Sequence, residues 1–175
     1  MINTRPLAEK ELPLIWTINR AEVIDNIYYL RDGELVLEPE HYEMQGWPPG
    51  EPEHYHPILE NCFNRGGHFW GAFDGKKLVG VAVLEEQLIG SKQDTLQLKF
   101  LHASSAYRKQ GLGRRLFSIA AEQAKSMGAA KMYISSTPSE NTVHFYFHLG
   151  CQLAEEIDPE LFALEPEDIH LEYTL

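Results

Sequence analysis

The run Tyr107-Arg108-Lys109-Gln110-Gly111-Leu112-Gly113-Arg114-Arg115 sets two glycines among four bases. Glycines let the backbone approach a ligand closely. Successive N–H groups in such a turn face outward as a nest, and a helix starting here places the positive end of its dipole behind them. Arg108, Lys109 and Arg114 add full charges. The chemistry is that of a pyrophosphate cradle. Spacing excludes two standard cradles: the chain has no Gly-x-x-x-x-Gly-Lys-Ser/Thr, and Leu116 stands where a dinucleotide fingerprint needs its third glycine or alanine.

Other reactive side chains carry weaker patterns. His144 and His148 lie four apart on one helix, but without the Glu of His-Glu-x-x-His they read as helix-face histidines, and no metal is expected. His54 and His56 fall in a proline-rich stretch and read as surface loop. Cys62 and Cys151 are too few and too far apart for a disulfide framework or a metal knuckle, and Cys151 reads as a small buried hydrophobe. Tyr28, Tyr29 and Trp47 are either loop anchors or the lining of an acceptor pocket in which Glu22, Asp25 and Glu34 attract an amine.

The elements that must position the cradle follow from periodicity. Thr95 to Ala103 alternates as a strand with a fault: Leu96, Leu98 and Phe100 share a face, then Leu101 and Ala103 take the apolar role, as across a β-bulge. Leu112, Leu116, Ala120, Ala124 and Met127 form the buried stripe of a helix ended by Gly128. Lys131 to Thr137 is the next strand, so strand, helix and strand form a right-handed crossover with a parallel pair. Upstream, Glu9 to Arg20 reads as helix, Tyr55 or His56 to Arg65 as a second, and Tyr28 to Pro52 as an irregular, acidic segment. His68 to Phe73, Asp74-Gly75 and Lys77 to Leu84 read as a hairpin with a type I′ turn. Asn141 to Leu149 is a short helix capped by Gly150, and Ile169 to Leu175 the last strand. The sum is an α/β fold with a mixed, mostly antiparallel central sheet and flanking helices.

The 175 residues suit a single domain spanning 1–175. At 43% hydrophobic and 23% charged, the composition excludes disorder and low-complexity scaffolds. With no apolar run of membrane-spanning length and no secretory signal, a cytoplasmic protein without membrane partners is expected. The net charge of −11 opposes nucleic-acid binding. Charge is also segregated: Glu22 to Glu60 carries ten acids and one base, and Ala154 to Leu175 eight acids and no base. Lys99 to Lys131 carries seven bases and one acid. An anionic ligand suits the basic island, and a cationic one a region elsewhere.

Arg108-x-x-Gly111-x-Gly113, five residues after Ala103, closely resembles the acetyl-CoA-binding motif of the GNAT N-acetyltransferase superfamily. Ser139-Glu140-Asn141-Thr142-Val143-His144-Phe145-Tyr146-x-x-x-Gly150-Cys151 resembles that family's Asn-x-x-Ala-x-x-Phe-Tyr-x-x-x-Gly-Phe helix, departing at Ser139, Thr142 and Cys151. The resemblance covers most of the chain.

It implies an enzyme that moves an acetyl group from acetyl-CoA to a primary amine by direct attack on the thioester. The pyrophosphate would lie on the amides from Lys109 to Arg114, Gln110, Gly111, Leu112 and Gly113 included. Pantetheine would pair with the backbone at Leu101 and Ala103, and Ser139 and Asn141 belong to the matching helix motif. Tyr146 corresponds to the general acid, which also contacts the cofactor. Some relatives carry a Glu as general base about five residues before the position of Ala103; here that residue is Leu98. His102, Glu85, Glu86, Glu22, Asp25 or a water chain remain open. The acidity of the Glu22–Glu60 region suits a small cationic acceptor. A catalytically silent acyl-CoA sensor is the alternative, and a homodimer stays open.

Overall fold

Asp-Gly pairs bend the chain in two places, in different ways. A computed structural model describes residues 1–175. At Asp32-Gly33 both residues take positive φ, 51° and 79°, as a type I′ turn requires, and join β2 (Glu22–Arg31) to β3 (Glu34–Met44). Between β4 (His68–Asp74) and β5 (Lys77–Leu84) the turn slips by one residue. Asp74 still pairs with Lys77, and only Gly75, at 59°, is left-handed. The expected hairpin is present, but its turn is Gly75-Lys76 and not a type I′ Asp74-Gly75.

Seven strands form the main sheet in the order β1 (Ile2–Pro6), β4, β5, β6 (Thr95–Ala103), β7 (Lys131–Ser136), β9 (Ile169–Thr174) and β8 (Gln152–Leu153). Every neighbouring pair is antiparallel except β6 with β7. Successive strand residues point to opposite faces, and Val83 and Leu84 accordingly enter different cores. Val83 joins Phe69, Val81 and Phe100 beneath the 3₁₀ helix Glu9–Thr17 and α1 (Glu51–Asn64), which contribute Leu12, Ile15, Leu59 and Cys62. Leu84 joins Leu96, Leu98, Met132 and Ile134 beneath α2 (Leu112–Ser126) and α3 (Glu140–Leu149). No helix is long and apolar enough to cross a membrane.

Three expectations change. The first helix is 3₁₀ and stops at Thr17, with Pro13 inside it removing an N–H donor. Next, α1 begins at Glu51, four residues early, because Pro52 sits in the first turn where no donor is needed; His54 and His56 are therefore helical. Finally, the segment Tyr28 to Pro52 is not irregular: most of it is the β2–β3 hairpin. Only Ile24 of that hairpin is fully buried and β3 is mostly exposed, so acids and Pro39 dilute the alternation that marks a half-buried strand. It docks on α3 instead, through Tyr28 N–H to the Pro138 carbonyl (2.8 Å) and the Tyr28 hydroxyl against His144 Nε2 (2.6 Å).

The fault in β6 is a bulge, but it falls earlier than expected: Leu96 and Leu98 face one core and Phe100 the other, because the extra residue lies before Phe100. Val83 pairs with Phe100 and Leu84 with Leu98, which leaves Lys99 as the extra residue. Its ammonium lies 3.4 Å from Glu85, a carboxylate 5% exposed at the end of β5, which also accepts a hydrogen bond from Arg65 at 2.8 Å. Burial pushes the Glu85 pKa up, but the Lys99 charge and the Arg65 hydrogen bond outweigh it, and the net shift is downward. A lowered carboxylate contributes stability above its unfolded pKa, and that contribution disappears as pH falls through the folded value. Lys99→Ala is therefore expected to destabilise the protein by about 1–3 kcal/mol at pH 7. In urea unfolding the gap from wild type should narrow as pH drops below about 4, the ordinary Glu range. A gap independent of pH would assign the loss to packing.

Candidate active site

The bulge bends β6 away from its parallel neighbour. Pairing between β6 and β7 covers only Thr95↔Lys131, Leu96↔Met132 and Gln97↔Tyr133, so from Leu98 onward the edge of β6 facing β7 has no strand partner. A cavity of about 1370 Å³ lies along this gap. Leu98 to Ala103 line one side and Ser135, Ser136 and Thr137 the other.

At one end of the cavity is the glycine turn. Lys109 and Gly111 both take positive φ, 59° and 80°, on either side of Gln110, and Gly111 is the N-cap of α2. The amides of Lys109, Gln110 and Gly111 meet no backbone acceptor, and those of Leu112, Gly113 and Arg114 fall in the first turn, where a helix offers none. Arg115 N–H to the Gly111 carbonyl (3.0 Å) is the first closed bond. Nothing lies within 4 Å of a Cβ built on Gly111, so the space above the amides is open. On Gly113 a Cβ would come within 3.1 Å of Phe145 Cζ; this glycine lets α3 approach α2. Donors, dipole and open space together suit a diphosphate.

Arg108 does something else. Its guanidinium donates to the carbonyls of Ala103 (3.1 Å), Ala21 (2.9 Å) and Asn19 (3.4 Å), tying the turn to β6 and to the exit of the 3₁₀ helix. Desolvation lowers its pKa, with Glu22 and Arg20 as smaller influences. Lys109 and Arg114 line the cavity as the remaining charges of the turn.

Among the other residues singled out from sequence, Leu101, Ala103, Gly111, Gly113, Asn141 and Tyr146 line the same cavity, whereas Gln110, Leu112 and Ser139 do not. The Gln110 side chain turns back to the Ala106 carbonyl, and Leu112 is buried against β5. Ser139 is fully buried as the N-cap of α3, with its hydroxyl on Thr142 Oγ1 at 2.9 Å. Tyr146 is buried too, and its phenol pKa is raised by desolvation first, then by Cys151 and Asp168. Cys151 is buried, its thiol pushed up to about 12 by desolvation.

The opposite end is acidic. Glu51, His54 and Tyr55 enter from α1, and Glu165 and Asp168 from the segment between α4 (Pro159–Leu164) and β9. Tyr55 donates to Glu165, and Ser135 Oγ donates to Asp168 at 2.8 Å. Arg20 bonds both Glu51 oxygens at 3.2 Å while its guanidinium lies over the Trp47 ring. His102 also lines the cavity; desolvation, followed by the charges of Arg20 and Arg108, holds its pKa well below the usual value, so the imidazole is neutral.

The acceptor residues expected from sequence are dispersed. Glu22 reaches the cavity, but Asp25 is exposed and paired with His41 at 2.8 Å, and Glu34 is exposed where β3 leaves the turn. Tyr29 bonds Glu40, and Trp47 donates to the Ile18 carbonyl at 3.0 Å. Glu85 is consumed by its two cations. The C-terminal acids Glu165 and Asp168 were not singled out from sequence, although the net charge of their segment was the available signal.

A family model described as "Acetyltransferase (GNAT) family" matches residues 33–151. The uncharacterized N-acetyltransferase YjgM of Escherichia coli (strain K12) is 30% identical over 95 residues, 53% of this chain and 56% of that protein, so the match spans little more than half of the relative. Among solved structures, nourseothricin acetyltransferase aligns with a TM-score of 0.74 at 17% identity, over 99% of this chain and 98% of that one. A Bacillus anthracis str. Ames protein assigned as a streptothricin acetyltransferase, solved with acetyl coenzyme A, aligns at 0.73 and 17% identity over 100% and 99%.

Replacing Gly111 by alanine isolates the backbone requirement, because the new methyl group meets no neighbour. A non-glycine residue in the left-handed region costs about 1–2 kcal/mol, so Gly111→Ala should lower stability by about that amount in urea unfolding. An unchanged midpoint would show that the turn relaxes to another conformation.

Proposed function

This chain belongs to the GNAT acetyltransferase family, and we propose that it transfers the acetyl group of acetyl-CoA to the primary amine of a small cationic acceptor by direct attack. The observation that carries the reading is the parting of β6 from β7 beyond Gln97 and Tyr133. It opens a single cavity with unpaired backbone amides at one end and carboxylates at the other. The open space over Gly111, its unpaired neighbouring amides and the unpartnered edge of β6 suit a diphosphate followed by an extended arm. Acetyl-CoA, when bound, supplies an activated thioester and a thiolate leaving group.

In this reading the backbone from Lys109 to Arg114 holds the diphosphate, and Leu101 and Ala103 pair with the arm like an added strand. Unpaired β6 amides hold the thioester oxygen and stabilise the charge it gains as the amine adds. Tyr146 holds a proton at its hydroxyl for the departing sulfur. Its raised pKa keeps the phenol protonated across the physiological range, as a general acid must be. The acidic end orients a cationic acceptor with its nitrogen toward the gap.

A silent acyl-CoA sensor remains a second reading because Leu98, where some relatives carry a glutamate, is buried and apolar. Calorimetry with acetyl-CoA, followed by free-thiol release over a panel of amines, separates the two. Binding with release on at least one cationic amine supports the transferase; binding without release on any amine favours the sensor. No binding by folded protein overturns both. Tyr146→Phe is expected to lower turnover by about ten to a thousandfold while leaving acetyl-CoA affinity nearly unchanged. Undiminished turnover would remove Tyr146 from the reaction.

A further inference from the structure

The proposed reaction needs a proton acceptor, and His102, whose protonation is opposed by burial and by the charges of Arg20 and Arg108, is a poor one. A cationic amine is no nucleophile until it loses a proton, the bulged strand offers Leu98 at the relevant place, and Glu85 is held by Lys99 and Arg65. One carboxylate in the cavity is differently placed. Ser135 lies on β7 two residues beyond Tyr133, the last residue paired with β6, and so on the rim of the gap. Its hydroxyl donates to Asp168 Oδ2 at 2.8 Å, mooring this carboxylate to the rim. No Lys, Arg or His lies within salt-bridge distance of Asp168, whereas the more buried acids Glu85 and Glu172 each have a cation partner. The Asp168 charge also contributes to raising the Tyr146 pKa.

Resting on the transferase reading, we infer that Asp168 receives the proton of the acceptor ammonium and holds the amine against the gap. One N–H proton of the ammonium passes to Asp168, and the freed lone pair forms the C–N bond. As the C–S bond breaks, sulfur takes the Tyr146 proton, the phenol regains one from the new amide nitrogen, and Asp168 returns its proton to solvent. One proton is released per turnover. Asp168 is faced by Glu51 and Tyr55 of α1, by Glu165, by Arg20 and by Tyr146. Desolvation, with Glu165 and Glu51 adding and Ser135 and Arg20 opposing, pushes its pKa up to about 6. This is closer to the working pH of a general base than an ordinary carboxylate.

The test compares wild type with Asp168→Asn and Asp168→Glu, using spermidine and other primary amines with acetyl-CoA. Asp168→Asn should lower kcat/KM at pH 7 by about 10²–10⁴ while acetyl-CoA affinity is unchanged, and Asp168→Glu should recover part of the loss. Wild-type kcat/KM should rise with pH through about 6, and Asp168→Asn should lose that limb. Without acetyl-CoA, calorimetry at pH 7 should find spermidine bound roughly tenfold more weakly by Asp168→Asn, the loss of a charge-assisted hydrogen bond. An Asp168→Asn protein that keeps the rate and the acidic limb overturns the assignment alone. Wild-type protein that binds acetyl-CoA but releases no thiol with any amine overturns the transferase reading and this one together.

Discussion

The site depends on two parallel strands being paired for three residues and then separated. An additional residue in β6, Lys99, raises the local twist, and β7 does not follow because its other edge is held by β9 from Lys131 to Ser136. Backbone donors and acceptors along β6 that an ordinary sheet would consume are thereby left facing a cavity. The cost of this arrangement is met locally: Lys99 pairs with a buried carboxylate, and strong antiparallel pairing with β5 holds β6 on its far side. A sheet with β6 and β7 paired throughout would have no gap for a ligand to enter.

The sheet also separates charges that would otherwise neutralise one another. Lys109, Arg114 and the first turn of α2 gather at one end of the gap; Glu51, Glu165 and Asp168 gather at the other. Between them the cations are engaged. Arg108 donates to three carbonyls and Arg20 to Glu51, so each holds backbone or side chains in place. His102 between these two guanidinium groups is kept neutral, chiefly by desolvation. The resulting field is positive where an anion would dock and negative where a cation would, with a largely uncharged passage between.

Much of this was legible in the chain before folding, because the signals were local. The Leu96 to Ala103 phase slip is a property of one strand, the Gly111-Leu112-Gly113 turn of one loop, and the α2 stripe of one helix; each is present in the structure, with the slip displaced to Lys99 so that Phe100 changes face. Reading failed where a neighbour decides. The β2–β3 hairpin has little buried face of its own and is held by Pro138, just before α3, and by His144 on α3, partners more than 100 residues away in sequence. The role of Arg108 depends on carbonyls at positions 19, 21 and 103 that a motif cannot display.

Composition located acidity in two stretches but could not say which carboxylates would share a cavity. Glu22 to Glu60 supplies Glu22 and Glu51, yet most of its acids face solvent. Asp168 lies 71 positions past Gln97 and meets the gap only because β9 adds antiparallel to β7, pairing Ser136 with Ile169. The sequence alone determined the strand–turn–helix unit and its run of unpaired amides, since hydrogen-bond geometry within a few residues dictates both. Which acids oppose it was decided by tertiary structure, since strand order brings together side chains with no local relationship.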